Sequence, residues 1–483
     1  MHPHRVCVNP GRRPPAGASL AAVPAAALTA ALTVALTVAL TVVLTVAGTA
    51  ARAQPALQLA AASAADMALP PSTGPNPVLP APVHSVLPTV LIAPARSWGP
   101  GEQPVPAPGT RVQAFAQGLQ HPRWLLVLPN GDVLVAESNA PERPDDATGL
   151  RGWVMRLLMK SAGAAVPSAD RITLLRDTDG DGVADVRSVF ASGLHSPFGM
   201  ALVGDTLYVA NTDAVVALPY VSGDLVARGA PRHVAPLPAG RINHHWTKNL
   251  IASPDGHTLY ATVGSNSNVG ERGLAAEEGR AAIWQIALPG GQASLYASGL
   301  RNPNGLAWAA DGRTLWTVVN ERDELGDDLV PDYLTAVPPG AFFGWPWGYF
   351  GQHVDSRVQP PRPDLLATAR VPDYALGGHV AALGLAWSAH SRLPADLVGG
   401  MYIGEHGSWN RTPRSGYAVV FVPFADGRPN GAPRTVLGGF VNGDGQAMGR
   451  PVGVAVDASG GLLVADDVGN TIWRVSAGTQ PGR

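Results

Sequence analysis

The chain has little of what most protein classes depend on. It has one cysteine, Cys7, among 483 residues, so no disulfide can form within the chain. Charged residues make up only 14% of it, the formal net charge is −2, and it has no basic stripe. Nucleic acid is therefore not expected as a partner. The sequence also lacks a Walker loop, a Rossmann fingerprint or a Gly-x-Ser-x-Gly element leading a strand–helix unit, so no fold that would hold NAD is predicted.

What the sequence does contain is one pattern repeated six times. Each copy is a short apolar run, a turn with Gly or Asp, and a second run rich in Val, Leu, Tyr and Thr, which predicts a strand, a tight turn and a strand. The copies lie at residues 118–137, 193–211, 245–264, 299–321, 380–405 and 449–466. A single hairpin cannot bury its faces, but a closed ring of six can. The sequence therefore predicts an all-β, six-bladed β-propeller.

The ends of the chain have a different composition. Residues 1–53 combine early arginines, a long uncharged run and the small-residue site Ala51-Arg52-Ala53, which predict a cleaved signal peptide. An uncleaved membrane anchor is the alternative, because the run is long enough to span a bilayer. Residues 54–110 are rich in Ala and Pro and indicate a disordered linker or an extended lead-in. The propeller is expected over residues 111–475 and a C-terminal tail over 476–483. The protein is expected in the periplasm or secreted, or anchored to the inner membrane if the N-terminal segment is not cleaved.

Two further segments lie in or between the blades. The ring must be closed by a strand near 112–115 or near 472–475, and the sequence leaves both open. Residues 150–160 place five apolar side chains on one helical face. This favours an inserted helix packed on a blade, with a membrane or partner contact as the alternative.

One loop has the composition of a calcium site. Four aspartates occupy positions 1, 3, 5 and 9 of the loop that starts at residue 177, and Gly182 at position 6 allows a sharp bend. Oxygen ligands at this spacing suit Ca²⁺, although Ser188 at position 12 makes the pattern incomplete. The predicted ligands are Asp177, Asp179, Asp181 and Asp185. A solvated acidic turn is the alternative reading.

Polar residues also gather where several repeats begin or end. His244 and His245 precede the third repeat, and a histidine can accept a proton near neutral pH. Neighbouring strand residues point to opposite faces, so at most one of the two should face a central pocket. Arg301 and Asn302 open the fourth repeat, where a guanidinium could bind a carboxylate with two parallel hydrogen bonds.

From about residue 111 to 475 the chain resembles the sorbosone/glucose dehydrogenases, six-bladed propellers that use pyrroloquinoline quinone, and it looks closest to their L-sorbosone branch. The resemblance is carried by segments in every blade: HPRWLLVLPNGDVLVAES, RDTDGDGVAD, GLHSPFGMAL, LRNPNGLAW, NERDELGDDLVPDY, FFGWPWGY, GEHGSWNR and RPVGVAVDASGGLLVADDVGN. It implies an exported enzyme that oxidises a small sugar or aldehyde and passes electrons to a respiratory quinone or cytochrome c.

The resemblance also implies site residues. His245 would be the catalytic base, and Arg301 would stabilise negative charge on the quinone oxygen. The implied cofactor contacts are Arg301, Asn302, Arg411 and Arg450. A Ca²⁺ ion would be held by the backbone carbonyls of Glu321 and Arg322, with Asp327 or Asp328 in support.

One departure from the family pattern concerns the histidine. The glucose-oxidising branch carries an aspartate that orients it, and this chain has Ser265 there, so Asn266 or another group would have to orient His245. Two other functions stay open: a calcium-dependent propeller lactonase, and a non-catalytic propeller that binds carbohydrate or a partner.

Overall fold

The computed structural model describes residues 71–85, 89–141 and 159–478. The predicted signal or anchor segment, the last five residues, and nearly all of the helix expected at 150–160 lie outside the described residues. Within the described ranges, no helix is both long and apolar enough to cross a membrane.

The predicted propeller is confirmed: antiparallel sheets form a ring of six blades, and each repeat supplies the two innermost strands of one blade. The first three blades are β3–β6 (Pro122–Val127, Val133–Glu137, Arg171–Arg176, Val186–Ala191), β7–β10 (Met200–Val203, Thr206–Ala210, Ala214–Pro219, Arg232–Pro236) and β11–β14 (Leu250–Ala252, Thr258–Val263, Ala282–Ala287, Ala293–Ser298).

The remaining blades carry the extra strands. They are β15–β17 with β20 (Asn302–Trp308, Leu315–Asn320, Pro331–Ala336, Tyr374–Gly378), β21–β25 with β1 (Ala382–Trp387, Gly400–Glu405, Ala418–Ala425, Arg428–Pro429, Arg434–Gly438, Val105–Pro106), and β26–β28 with β2 (Pro451–Val456, Leu462–Asp466, Thr471–Ala477, Thr110–Gln117). The connections between strands contain four short elements. They are a small hairpin of β18 and β19 (Gly348–Tyr349, His353–Val354), a helical turn, α1 (Pro363–Leu366), and 3₁₀ turns at Leu274–Glu277 and Ala395–Leu397.

The ring is closed by both segments that the sequence left open. Strand β2, from the start of the propeller, pairs antiparallel with β28 from its end, and Val112 lies opposite Val475. The outermost strand of the sixth blade therefore comes from the N-terminal side of the chain. The innermost strands β3, β7, β11, β15, β21 and β26 contact one another in turn around the axis.

The repeated glycine near the start of the inner strands has a packing reason. A Cβ on Gly384 in β21 would lie 2.2 Å from the carbonyl oxygen of Val452 in β26, so only glycine allows these strands to approach. The blades are sealed against each other by apolar clusters, such as Trp124 and Phe198 with Trp246 between the first three blades.

The topology gathers the polar residues at one end of the axis. All inner strands run in the same direction, and each is antiparallel to the second strand of its blade. The start of every inner strand and the end of every second strand therefore meet at the same face, which we call the polar face. His245, Arg301 and Arg450 precede inner strands, whereas Ser265 and Asp467 follow second strands.

The lead-in to the propeller lies against the loops of this polar face. The amide of Val83 donates to Leu325 O at 2.8 Å, and that of Leu91 donates to Trp409 O at 2.8 Å. Farther along, Nη2 of Arg450 donates to Ala93 O at 3.3 Å. The described part of residues 71–98 is thus in extended contact with the fourth, fifth and sixth blades.

Candidate active site

His245 is held in one orientation by the residue that departs from the family pattern. Its Nδ1 lies 2.7 Å from Ser265 O and 3.1 Å from Ser265 Oγ. The carbonyl can only accept, and Ser265 Oγ donates to Ser267 O at 2.7 Å, so Nδ1 must carry the proton. The lone pair of His245 is therefore on Nε2, which has no hydrogen-bond partner among the described residues.

The charge state of His245 suits a base. Burial and the neighbouring Arg301 guanidinium lower the pKa of His245 well below its ordinary value. The ring is consequently neutral at physiological pH, with a free lone pair on Nε2. A neutral imidazole of fixed tautomer is the form that can accept a proton from a hydroxyl group.

A glycine brings His245 next to the fourth blade. A Cβ on Gly264 would lie 2.3 Å from Asn302 Oδ1 and 2.5 Å from His245 Cβ, so both side chains occupy the space that any other residue would fill. Asn302 is buried, and its Oδ1 has no hydrogen-bond partner in the described structure. Unpaired buried acceptors of this kind are uncommon in proteins.

Arg301 is bound to the loop after β16 and to the loop after β12. Its Nη1 donates to Glu321 O at 2.6 Å, and its Nη2 donates to Asn268 Oδ1 at 3.0 Å. Nη2 also lies 3.3 Å from Asp323 Oδ2. The guanidinium is buried and fixed by these contacts.

Asp323, to which the sequence analysis assigned no role, is the centre of a buried charge cluster. Asn410 Nδ2 donates to its Oδ1 at 2.8 Å, and Nδ1 of His379 lies 3.4 Å from the same atom. Although burial favours the neutral acid, Arg301 and His379 lower the pKa of Asp323 to about 2. Burial disfavours the charged form of His379, but its hydrogen bond to Asp323 raises the pKa of His379 above its ordinary value. We call Asp323, Arg301, His379 and Asn410 the Asp323 cluster.

A cavity of about 470 Å³ opens beside the Asp323 cluster. His379 and Asn410 line it together with the 324–329 loop and residues 80–83 of the lead-in. This volume is within the range that holds small ligands, about 300–1,000 Å³. Asp323 joins the cavity to the axial site, because one of its oxygens faces Asn410 and the other faces Arg301.

A second charge cluster surrounds Asp467 on the first, fifth and sixth blades. Its Oδ2 binds Nη1 of Arg123 and lies 2.9 Å from Nε2 of His406, and its carbonyl lies 3.1 Å from Nδ1 of His121. Burial opposes the charged form of Asp467, but His406, His121 and Arg123 lower its pKa far below the ordinary value. Nε of Arg123 and Oδ1 of Asp467 are buried without partners among the described residues.

Arg450 lies at the edge of this second cluster. Its guanidinium carbon is 4.9 Å from the centre of the Tyr417 ring, and its Nε is buried without a hydrogen-bond partner in the described ranges. Its charge helps to lower the pKa of His406, after burial itself. Arg450 therefore keeps an unused donor on the polar face, as a residue that binds an anionic ligand would.

Arg411 and Asp327 contact each other at the rim of the cavity. Nε of Arg411 donates to Asp327 O at 2.9 Å, and Nη2 donates to Asp328 Oδ1 at 2.6 Å. Nη1 of Arg411 also donates to Pro413 O. The structure thus uses every guanidinium nitrogen of Arg411 to fix the loop that lines the cavity.

The predicted carbonyl site for Ca²⁺ at Glu321 and Arg322 fits a cation poorly. The Glu321 carbonyl already accepts from Arg301, so an ion there would share its oxygen with a guanidinium. The Arg322 side chain is wholly buried and directed toward the β18 hairpin, where Nη1 donates to Pro346 O at 2.9 Å. Repulsion between cations so close together disfavours metal binding at this place.

The acidic loop at residue 177 fits a cation better. One carboxylate oxygen from each of Asp177, Asp179 and Asp185 lies within 4.8 Å of the others. Asp181 does not join them: its Oδ1 accepts from the amide of Val183 at 2.7 Å. The loop packs against the outer strands of the sixth blade, so it lies away from the axis.

Comparison with known proteins identifies two family models. One, described as a domain of unknown function, DUF7133, matches residues 146–405. The other, described as TrAA12-like, matches residues 366–478. A protein of Borreliella burgdorferi, described as uncharacterized, is 26% identical over 298 residues, which are 59% of this chain and 76% of that protein.

Several solved structures share the fold. The iodide structure of a Trichoderma reesei carbohydrate-active enzyme of family AA12 has a TM-score of 0.63 at 19% identity, covering 80% of this chain and 99% of its own. The holo form of the pyranose dehydrogenase PQQ domain from Coprinopsis cinerea has a TM-score of 0.61 at 21% identity, with 80% and 100% covered. The apo form of a soluble aldose sugar dehydrogenase from Escherichia coli has a TM-score of 0.52 at 14% identity, with 76% and 100% covered. The TM-scores establish a common fold, and at identities this low they establish the fold alone.

Proposed function

The chain belongs to the DUF7133 family, and from the site on its polar face we propose that it is a dehydrogenase that uses pyrroloquinoline quinone to oxidise a sugar or a related aldehyde. One observation carries this proposal. His245 is a neutral base of fixed tautomer with a free Nε2, and the charge of the buried Arg301 helps to keep the ring neutral. The sugar dehydrogenases among the structures of the same fold support the substrate class.

His245 would act on the substrate hydroxyl. Because Ser265 holds Nδ1–H, the Nε2 lone pair is available to remove the hydroxyl proton as the C–H bond breaks. The aspartate of the glucose-oxidising branch is replaced in this role by the main-chain carbonyl of Ser265. A carbonyl fixes the tautomer without adding a negative charge, which is consistent with a pKa of His245 below its ordinary value.

The buried cations of the polar face suit a cofactor that carries carboxylates. When bound, pyrroloquinoline quinone would supply an acceptor for the electron pair of the substrate C–H bond. Arg450 and Arg123 each keep a buried Nε without a partner among the described residues, and Asn302 keeps an unused Oδ1. These are the residues that we expect to hold the cofactor together with Arg301, whose charge would stabilise an anionic oxygen.

Calcium is proposed at the loop of Asp177, Asp179 and Asp185, as a structural ion. The convergence of three carboxylate oxygens supports it. A metal at the Glu321 and Arg322 carbonyls stays a prediction of the family resemblance, and no step of the reaction is assigned to it. The L-sorbosone preference, export to the periplasm and a respiratory electron acceptor are likewise proposals from the sequence.

The alternative functions fit the polar face less well. A calcium-dependent lactonase needs side-chain oxygens that converge on a metal at the axis. The buried carboxylates of Asp323 and Asp467 are instead paired with arginine and histidine. A non-catalytic propeller would give no reason for a neutral histidine of fixed tautomer beside a buried arginine.

Titration of the purified protein with pyrroloquinoline quinone tests the proposal. We expect saturable binding that weakens when Arg450 is replaced by Gln, because the change removes a buried cation from the polar face. The control is Arg362→Gln, which removes an exposed arginine paired with Asp364 and should leave binding unchanged. If wild-type protein binds no quinone, the assignment of the cofactor is wrong.

A further inference from the structure

Lys248 is a buried lysine that the proposed chemistry does not use. Its side chain is completely buried, three residues after His245. Nζ donates to the main-chain carbonyls of His245 at 3.1 Å and Trp246 at 3.3 Å, and lies 3.4 Å from Asn243 Oδ1. A lysine is almost never fully buried unless its donors are used. Here all three contacts fall on the segment that carries His245.

The neighbouring contacts make Lys248 part of a network below the histidine. Arg280 Nη2 donates to Asn243 Oδ1 at 2.7 Å, and Arg280 Nε donates to Gly264 O at 3.1 Å. Thr212 Oγ1 donates to Trp246 O at 3.0 Å and accepts from Asn243 Nδ2 at 2.8 Å. Asn243 and the Trp246 carbonyl therefore each have a second partner.

The His245 carbonyl is the exception. Among the described residues, Lys248 Nζ is its hydrogen-bond donor, and no backbone amide is paired with it. Burial and the nearby Arg280 lower the pKa of Lys248 well below its ordinary value. The amine donates at least two hydrogen bonds in either protonation state, which is enough for the carbonyls of His245 and Trp246.

We propose that Lys248 is a positioning residue for His245: its amine fixes the His245 carbonyl, and so keeps the ring at hydrogen-bonding distance from Ser265 with Nε2 free. Without this contact the His245 carbonyl would have no hydrogen-bond donor among the described residues, and the ring would be held only by its own bond to Ser265. The tautomer and the direction of the ring would then no longer be unique. The consequence for turnover rests on the proposed function, whereas the consequence for the ring does not.

The test compares Lys248→Met with Thr212→Val in protein without cofactor. Both changes remove a buried donor to this segment, but only the first removes the donor to His245 O. In ¹⁵N-histidine-labelled protein, with His245→Gln to identify the resonances, we expect wild type and Thr212→Val to show the Nδ1-protonated ring. Lys248→Met should show mixed tautomers. Identical ring signals in Lys248→Met and wild type would overturn the proposal, whether or not the protein is a dehydrogenase.

Turnover provides the second readout. A misplaced base lowers kcat and changes KM much less. A displacement of about 1 Å can lower the rate about 100-fold. We expect kcat of Lys248→Met to fall about 10- to 100-fold with a small change in KM, and Thr212→Val to stay within about threefold of wild type. Equal losses in the two variants would show that Lys248 is merely structural. If Lys248→Met does not fold, Lys248→Leu removes the donor with a shorter apolar side chain, and the same ring signals as in wild type would again refute the proposal.

Discussion

Replacing Asp323 by Asn should lower the free energy of unfolding of the protein by an amount that depends on pH. The carboxylate packs against Arg301, His379 and Asn410 with 19% of its side chain exposed, and its pKa falls from an ordinary 3.8 to about 2. At roughly 1.4 kcal/mol per pKa unit, this corresponds to roughly 2–3 kcal/mol of stabilisation above pH 5. Asparagine keeps the shape of the side chain but cannot carry the charge.

The direction in which stability changes with pH follows from the lowered pKa of Asp323. A folded-state pKa below the unfolded one gives stability that is present above the unfolded value and lost as pH falls through the folded value. The difference in unfolding free energy between wild type and Asp323→Asn should therefore shrink by about 1 kcal/mol between pH 5 and pH 3. The pKa of His379 should fall in Asp323→Asn, because burial still disfavours its charged form while the hydrogen bond to Asp323 and the negative charge of Asp323 are lost.

Denaturant titrations at several pH values, together with the NMR titration of His379, measure both effects. The matched control is Asp213→Asn, because Asp213 also faces a histidine, His195 at 2.9 Å, but both side chains are about half exposed. Exposed pairs contribute little to stability, so the control should show almost no change with pH. A difference between wild type and Asp323→Asn that stays constant from pH 5 to pH 3 would refute the reasoning.

Two further predictions concern the other parts of the site. Ca²⁺ should raise the melting temperature of wild type but not of Asp179→Asn, because the variant loses one of three converging carboxylates. The control is Asp311→Asn, in an exposed turn outside any such group, which should respond to Ca²⁺ as wild type does. If Ca²⁺ raises the melting temperature of Asp179→Asn as much as that of wild type, the ion does not bind in this loop. Gly264→Ala should lower both kcat and stability, the latter by about 1–3 kcal/mol, because the new methyl group would overlap Asn302 and His245. Gly443→Ala, where a Cβ meets open space, is its control, and equal effects of the two changes would contradict the close packing of the site.

The fold could be predicted because each repeat codes for the same two strands and six such units can close into a ring. Strand, turn and strand recur in every blade, and the close approach of Gly384 to Val452 explains why the inner strand of the fifth blade has a glycine near its start. Ring closure could not be predicted in the same way. Residues near 112 and 475 are both plausible closing strands, and only the three-dimensional ring shows that they pair with each other.

The candidate site was predicted in part, for a physical reason. His245, Arg301 and Asn302 were found from their place at the starts of repeats, and Gly264 allows His245 and Asn302 to lie close together. The partner of the histidine was not found, since it is a main-chain carbonyl, and any residue at position 265 would supply one.

The Asp323 and Asp467 clusters were also missed, although a signal for them exists. Asp467 follows the second strand of its repeat, and Arg123 lies at the start of an inner strand, as Arg301 does in its own blade. Superimposing the six repeats in register would have placed these residues on one face. Which of these residues pair with one another depends on how neighbouring blades pack, and the repeat pattern does not contain that information.

The most direct test of the account is a single-turnover experiment on protein loaded with pyrroloquinoline quinone, in which the quinone absorbance is followed after mixing with a panel of aldoses and aldehydes. We predict that wild type loses the oxidised quinone band with at least one of these substrates. His245→Gln should bind the quinone equally well but lose the band about 100-fold or more slowly, as expected for removal of a general base. Equal rates in the two proteins would contradict the role of His245, and a stable band in wild type with every substrate would contradict the proposed dehydrogenase.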